Sequence, residues 1–317
     1  MFMKYRKLGN SGIDVSVIGH GTWGLGNDYF GEIDEDAAVR SIHASLDGGV
    51  NLIDTAAAYG LNNDSEKLVG KAIKGRRDKV VVATKVGLLR TFGAYIRTLD
   101  PGVMRIELEK SLKNLGTDYI DLYQIHWPDY NNSLEGALKE MLKFKKEGKI
   151  RAIGVSNFSV EEMRQSVEIA DISSAQPQLS LLSRGFIESG VIPFCEQNGV
   201  GVLTYGSLAG GILTGKITKR PAGDPKDHRA EFYPFYDEPM LSMVKELLVT
   251  LKTVADGHNA SVAEASINWV LAQPGVTCAL MGSSKPETAA ANVKAADWEL
   301  SAEELGVIEE SYRKIFG

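Results

Sequence analysis

Asp54, Tyr59, Lys85 and His126 are the residues whose types and spacing could do chemistry. Asp54, Lys85 and His126 each close a short apolar run, and Tyr59 follows in the loop after the first. A phenol with a pKa of about 10 exchanges protons poorly near neutral pH unless a neighbouring cation stabilises its phenolate. Lys85 would be that cation, Asp54 would hold the ammonium in place, and His126 would hydrogen-bond a substrate oxygen or the tyrosine hydroxyl. Together the set suits proton transfer to a carbonyl. Taken singly, each has an ordinary use: an Asp caps the next loop, a strand-end Lys is solvated, and a His before Trp127-Pro128 satisfies a backbone carbonyl. Convergence is what would make them a site, so the elements that carry them must bring them to one rim.

Gly49-Val50-Asn51-Leu52-Ile53-Asp54-Thr55 reads as a buried parallel strand delivering polar groups at its carboxyl end. Around it the chain alternates. Lys4 to Leu8 and Ile13 to Val17, separated by Gly9-Asn10-Ser11-Gly12, predict a hairpin ahead of the main fold. Strands are predicted at Ile18–Gly21, Asn51–Asp54, Lys79–Lys85, Tyr119–His126, Lys149–Val155, Ser174–Gln178, Val200–Tyr205 and Gly275–Met281. Helices are predicted at Asp34–Asp47, Ser65–Lys74, Asp100–Leu115, Leu134–Glu147, Val160–Ala170 and Gly190–Asn198, several with Pro or a cap at the start and Gly past the end. Eight apolar strands separated by helices, with no break in composition, predict a single (β/α)8 TIM-barrel domain over 1–317, with sites at the carboxyl ends of its strands. Ser301–Phe316, with Glu304 at capping-box spacing, predicts an extra C-terminal helix.

Two loops stand out. Thr22–Ile33 carries Trp23, Tyr29 and Phe30, which with Trp127 and the Leu88–Thr98 loop would wall a substrate pocket. Lys216–Met240, rich in Pro, Gly and charge and containing Phe232, Tyr233, Phe235 and Tyr236, is too long for a plain connection and is read as a lid.

Composition excludes several classes. A net charge of −6 without a basic run argues against nucleic acid or an anionic membrane as partner, leaving small molecules. The start Met1-Phe2-Met3-Lys4-Tyr5-Arg6-Lys7 is charged too early for a signal peptide, and no run approaches the roughly 18 apolar residues of a membrane span, so the expected location is cytoplasmic. Cys195 and Cys278 lack metal or disulfide spacing and are read as buried small hydrophobes; no metal site is expected.

The chain resembles an aldo-keto reductase. The resemblance rests on Gly49–Thr55, on Ile120-Asp121-Leu122-Tyr123-Gln124-Ile125-His126-Trp127-Pro128, on Gly154-Val155-Ser156-Asn157-Phe158, and on Tyr205-Gly206-Ser207-Leu208 with Gly215-Lys216. It implies a barrel plugged by the N-terminal hairpin and hydride transfer between a nicotinamide cofactor and an aldehyde, ketone or sugar-like carbonyl. It further implies Tyr59 as general acid/base, Lys85 and Asp54 as its tuning pair, and His126 as the residue orienting the carbonyl. For the cofactor it implies Gly21, Thr22 and Trp23 after the first strand, Asp54 near the nicotinamide ribose, Ser156, Asn157 and Gln176 at the carboxamide, and Tyr205 stacked on the nicotinamide. Pyrophosphate would lie under Ser207, Leu208 and Gly210 and the 216–240 lid. At the adenosine end stand Gly282, Ser284, Lys285, Thr288 and Asn292. Many relatives carry Arg at the position of Ser284, Arg or Gln at Thr288 and Glu at Ala291, so only Asn292 of the adenine pair remains. NADP(H) is the expected cofactor, with NAD(H) as the alternative. A redox-sensing regulatory protein on the same barrel, like the potassium-channel β-subunit relatives, is the competing function.

Overall fold

β1 (Tyr5–Lys7) and β2 (Asp14–Ser16) pair antiparallel, Tyr5 opposite Ser16, and form the expected hairpin. At its turn Gly9 adopts φ 49° against the barrel floor, where a Cβ would stand 2.3 Å from the Ser173 carbonyl oxygen, so only glycine fits. The computed structural model describes residues 3–27, 30–91, 94–221 and 227–317. Beyond the hairpin, strands and helices alternate as β3 (Ile18–Gly21), α1 (Glu35–Asp47), β4 (Leu52–Asp54), α2 (Asp64–Ile73) and β5 (Val81–Val86). A second hairpin, β6 (Leu88–Thr91) with β7 (Ala94–Arg97), follows β5. The alternation resumes with α3 (Pro101–Leu115), β8 (Ile120–Ile125), α4 (Leu134–Lys146), β9 (Ile150–Ser156), α5 (Val160–Ile169) and β10 (Ile172–Gln176). The last third comprises α6 (Gly185–Glu188), α7 (Val191–Gln197), β11 (Gly201–Thr204), α8 (Arg229–Phe232), α9 (Met240–Gly257), α10 (Val262–Leu271), β12 (Val276–Gly282), α11 (Pro286–Val293) and α12 (Ala302–Phe316).

Eight of these strands close a parallel barrel in the order β10-β11-β12-β3-β4-β5-β8-β9, the TIM-barrel architecture expected. Its inside is a small apolar cluster of Leu52, Val81, Ala83, Leu122, Ala152, Leu203, Cys278 and Leu280, and Leu8, Ile13 and Val15 of the hairpin belong to the same cluster. The hairpin is therefore a plug in the literal sense: it buries the open end of the barrel's interior. A larger apolar cluster fills the space between strands and helices. Local signals hold at many boundaries. The Asp100 side chain accepts from the backbone N–H groups of Gly102 and Val103 to start α3, and Ser159, Ser261 and Ser301 each form a capping box with the Glu three residues on. α12 lies along α9 and is tied in by Glu309, which accepts from Trp269 Nε1 and Arg184 Nη1, both at 2.7 Å.

Three expectations change. The Leu88–Thr98 loop is a hairpin, its two short strands pairing antiparallel with Leu88 opposite Arg97 and Thr91 opposite Ala94. The stretch after Met240, to which no helix was assigned, holds α9 and α10; α10 is buried on nearly every side, so it shows no polar face to reveal its period. The segment read as a lid is held to the body at its C-terminal, described part. Tyr233, Phe235 and Tyr236 are buried, and the hydroxyl of Tyr236 donates to the Gly210 carbonyl at 2.8 Å, anchoring the segment to the body. Of the cations in this segment, Arg220 pairs with Asp237 and Arg229 with Asp227, Lys216 and Lys219 are exposed, and Lys226 lies outside the described residues. Cys195 and Cys278 are buried as small hydrophobes. Among the described residues no helix is long and apolar enough to cross a membrane.

One carboxyl links the barrel to its helical layer in a pH-sensitive way. Glu107 of α3 accepts from the Gly87 N–H at 3.1 Å just past β5, and burial pushes its carboxyl up to about 7. The folded protein keeps that proton to about 7 while the unfolded chain releases it near 4.5, so this group lowers stability as pH rises across that window. Glu107→Gln is expected to raise the melting temperature by several degrees at pH 8 and little at pH 4.5; equal shifts at both pH values in thermal melts would contradict it.

Candidate active site

The carboxyl ends of the strands carry a polar layer above the apolar interior. Asp54 ends β4, Lys85 lies one residue from the end of β5, Gln124 sits beside Lys85 in register on β8, and Gln176 ends β10. Alternation along each strand puts these four on the inner face. Lys85 Nζ is the hub: it donates to Asp54 Oδ1 at 2.6 Å, to the Thr55 carbonyl at 2.9 Å and to the Tyr59 hydroxyl oxygen at 3.1 Å. The second carboxylate oxygen, Asp54 Oδ2, accepts from Gln176 Nε2 at 2.8 Å and Gln124 Nε2 at 3.1 Å. Thr22, fully buried, donates its hydroxyl to the Asp54 carbonyl at 2.9 Å and fixes the end of β4 against β3.

The Tyr59 ring stands between Trp23, nearly parallel with centroids 6.4 Å apart, and His126, edge-on at 5.7 Å. Sequence reasoning assigned Lys85 the task of lowering the tyrosine's pKa. The net direction is the opposite: burial, then the Asp54 carboxylate, hold the phenol well above its ordinary range. Burial also lowers Lys85 although Asp54 opposes it, and burial with the charges of Lys85 and Arg97 keeps His126 well below the usual imidazole value. At neutral pH the cleft therefore presents a protonated phenol and a neutral imidazole. The Tyr59 oxygen already accepts from Lys85, which leaves its own O–H to donate into the cleft.

Of the four predicted residues, Tyr59 and His126 line a cleft of about 330 Å³ whose walls also include Trp23, Trp127, Tyr205 and Phe232, while Lys85 and Asp54 are buried and reach it through the Tyr59 hydroxyl. Ser156, Asn157 and Gln176 form one connected corner: Ser156 Oγ donates to the Gln176 carbonyl at 2.8 Å, Asn157 Nδ2 donates to the His126 carbonyl at 3.1 Å, and the Tyr205 hydroxyl donates to Asn157 Oδ1 at 2.9 Å. Gln176 Oε1 receives no hydrogen bond from the described residues, and its side chain lines the cleft. An acceptor open to the cleft beside an amide and a hydroxyl suits the carboxamide of a nicotinamide. Beyond Tyr205 the backbone turns through left-handed conformations at Gly206, Ala209, Gly210 and Gly211; a Cβ on Gly210 would stand 2.6 Å from the Tyr233 ring. Ser207 is buried with its hydroxyl 3.1 Å from that of Thr204, and Leu208 is half-buried.

β12 runs beside β3 with Gly282 opposite Gly21, which brings the 282–288 turn to the same rim. Ser41 of α1 donates to the carbonyls of Ser283 at 2.9 Å and Lys285 at 3.3 Å, shaping the turn before α11. Ser284 is half-buried, Lys285 and Thr288 are exposed, and Asn292 is buried in α11. Of the expected substrate wall, Trp23 and Trp127 line the cleft, whereas Phe30 packs edge-on behind Trp23 at 5.1 Å and Tyr29 lies outside the described residues. The Leu88–Thr98 stretch lines the cleft as expected, through Leu88, Tyr95 and Arg97; Phe232 of the 216–240 segment joins it, and Gln124 of the polar layer was not singled out. Gln124 could have been found, since two residues before His126 on one strand means the same face. Among the described residues no group of His, Cys, Asp or Glu is arranged to hold a metal.

Comparison with known proteins agrees with this geometry. The Aldo/keto reductase family model matches residues 17–313. Aldo-keto reductase YhdN of Bacillus subtilis is 40% identical over 307 residues, covering 95% of this chain and 91% of that protein. The NADH-specific methylglyoxal reductase of Escherichia coli is 32% identical over 324 residues, covering 97% and 98%. The structure of a glycerol dehydrogenase from Gluconobacter oxydans matches with a TM-score of 0.88 at 35% identity, covering 96% of this chain and 93% of that one. An aldo/keto reductase from Klebsiella pneumoniae, solved with NADP and acetate, matches at 0.76 and 28%, covering 96% and 94%. With the family model spanning nearly the whole barrel and these relatives covered almost end to end, the chain belongs to the aldo/keto reductase family and is an NAD(P)H-dependent carbonyl oxidoreductase.

Proposed function

We propose that this protein reduces an aldehyde, ketone or sugar-like carbonyl with NADP(H), using Tyr59 as the proton donor. The observation that carries the reading is the chain Asp54–Lys85–Tyr59, in which one buried ammonium joins a carboxylate at 2.6 Å to a phenolic oxygen at 3.1 Å on the cleft wall. Tyr59 donates its proton to the carbonyl oxygen, and the phenolate left behind is stabilised by the Lys85 ammonium. Asp54 holds Lys85 in place, and the two glutamine amides hold Asp54. Neutral His126, edge-on to Tyr59, hydrogen-bonds the same carbonyl oxygen and sets its orientation. Trp23, Trp127 and Phe232 exclude water from the reacting carbon.

The nicotinamide cofactor, when bound, supplies the hydride. Residues fitted to hold it are Ser156, Asn157 and Gln176 at the carboxamide, Tyr205 against the ring, Gly21, Thr22 and Trp23 beside the ribose, and the turn of Ser207, Leu208 and Gly210 at the pyrophosphate. For the adenosine end we assign Gly282, Ser284, Lys285, Thr288 and Asn292. The start of α11 favours negative charge, and Lys285 makes no ion pair among the described residues, so the turn suits a 2′-phosphate without arginine's bidentate fork. All of 1–317 is proposed to act as one unit, supported by the plug and α12 sharing the barrel's core residues.

A panel of aldehydes, ketones and sugars, followed by the loss of reduced-nicotinamide absorbance, tests the activity; no turnover of any carbonyl with either cofactor would refute it. The cofactor assignment is tested by kcat/KM with NADPH and NADH. The wild type is expected to prefer NADPH, and Lys285→Ala to lower that ratio about three- to tenfold. A wild-type preference for NADH would sink the assignment, and an unchanged ratio in the variant would clear Lys285 of a phosphate role.

A further inference from the structure

Arg97, the last residue of β7, is the single charged side chain among the described residues that line the cleft. The β6–β7 hairpin places it there. Leu88 and Arg97 are partners across the hairpin, Tyr95 is two residues from Arg97 on the same face, and all three line the cleft. The guanidinium lies over the Trp127 indole, with Cζ 4.5 Å from the ring centroid, and makes no ion pair or hydrogen bond among the described residues. The cation–π contact steadies the guanidinium, and its N–H groups, which have no hydrogen-bond partner among the described residues, are available to an oxyanion.

Its charge is not cancelled at the cleft. Lys85 is matched by Asp54 within one buried pair, and His126 is neutral. The cleft of a chain with a net charge of −6 therefore carries a local positive charge beside the reacting centre, since Trp127 directly follows His126. Topology also separates this charge from the dinucleotide. In the barrel order, β5, from which the hairpin springs, is three strands from β12 and four from β11. Arg97 thus stands across the rim from both Ser207–Gly210 and the Ser284–Lys285 turn, on the side left to the substrate.

We propose that Arg97 selects carbonyl substrates that carry a carboxylate remote from the reacting carbon, gripping the carboxylate while Tyr59 and His126 hold the carbonyl oxygen. This rests on the carbonyl-reducing reading of the site. In the reaction the C=O π bond breaks, a C–H bond forms with hydride from the reduced nicotinamide, which is oxidised, and an O–H bond forms with the proton from Tyr59. The carboxylate and Arg97 are unchanged, and the product is a hydroxy acid.

The test compares kcat/KM for matched pairs, butanal with 4-oxobutanoate and benzaldehyde with 4-carboxybenzaldehyde, in the wild type, Arg97→Lys, Arg97→Gln and Arg97→Glu. The ratio of acid to neutral substrate within one enzyme preparation is insensitive to loss of folded protein. The wild type is expected to favour the acid in at least one pair. Arg97→Gln should cut that ratio by about tenfold, chiefly through KM, Arg97→Lys should keep part of it, and Arg97→Glu should reverse it. High salt should erode the wild-type ratio, because the guanidinium is exposed. Turnover of the neutral members with no preference for either acid, or a preference that survives in Arg97→Gln and Arg97→Glu, overturns the role of Arg97 and leaves the carbonyl-reducing reading standing. Failure of all four substrates, alongside failure of the wider carbonyl panel, overturns both.

Discussion

Tyr59→Phe is expected to lower kcat by about 10²–10⁴-fold, the usual span of a general acid's contribution. The substitution deletes one oxygen, the one that accepts from Lys85 at 3.1 Å, and keeps the ring between Trp23 and His126. Packing and the cofactor corner at Ser156, Asn157 and Gln176 are untouched, so cofactor affinity measured by protein fluorescence should stay close to that of the wild type. Because burial and then Asp54 keep the phenol protonated well above its ordinary range, the wild-type reductive rate should be level through neutral pH and fall only on the strongly alkaline side. Survival of carbonyl reduction in the variant to within about threefold would remove Tyr59 from the mechanism.

Lys85→Met should be as damaging to turnover and should also weaken the fold. The ammonium is 1% exposed and, among the described residues, is the one cation paired with the buried Asp54 carboxylate. Without it, Asp54 keeps only the amides of Gln124 and Gln176, and breaking a buried pair from one side typically costs about 3–5 kcal/mol. The pH dependence has a definite sign. Burial lowers the folded lysine below 10.5, so the unfolded chain holds this proton to higher pH than the folded one, and folding gains as pH rises through that window. Lys85→Met should lack that rise. The double variant Asp54→Asn/Lys85→Met separates the two effects: removing both charges should restore much of the melting temperature and none of the turnover. A single variant with near wild-type kcat would refute the role of Lys85, and a double variant that recovers activity would refute the proton path.

The barrel was legible in the sequence because its determinants are local. Short apolar runs, helix caps at Asp100, Ser159 and Ser301, and the glycine-rich turn at Gly9 each act within a few residues, and eight repeats of that pattern leave one closed solution. The convergence of the candidate set was legible for the same reason: Asp54, Lys85 and His126 stand at or beside strand ends, where barrel geometry sends side chains to one rim. What the sequence could not determine depends on contacts between segments far apart in the chain. The upward direction of Tyr59 follows from how completely the cleft is desolvated and from the Asp54 charge facing it. The anchoring of the 216–240 strap depends on apolar seats supplied by other elements, which its Pro- and Gly-rich composition does not disclose. The Leu88–Thr98 loop was placed at the pocket from the sequence, but that Arg97 is its residue over Trp127 follows only from the β6–β7 pairing, which sets Arg97 opposite Leu88. Periodicity and caps specify where chain segments go; desolvation and charge balance arise only when those segments close around a common space, and they decided the protonation of this site and the charge of its cleft.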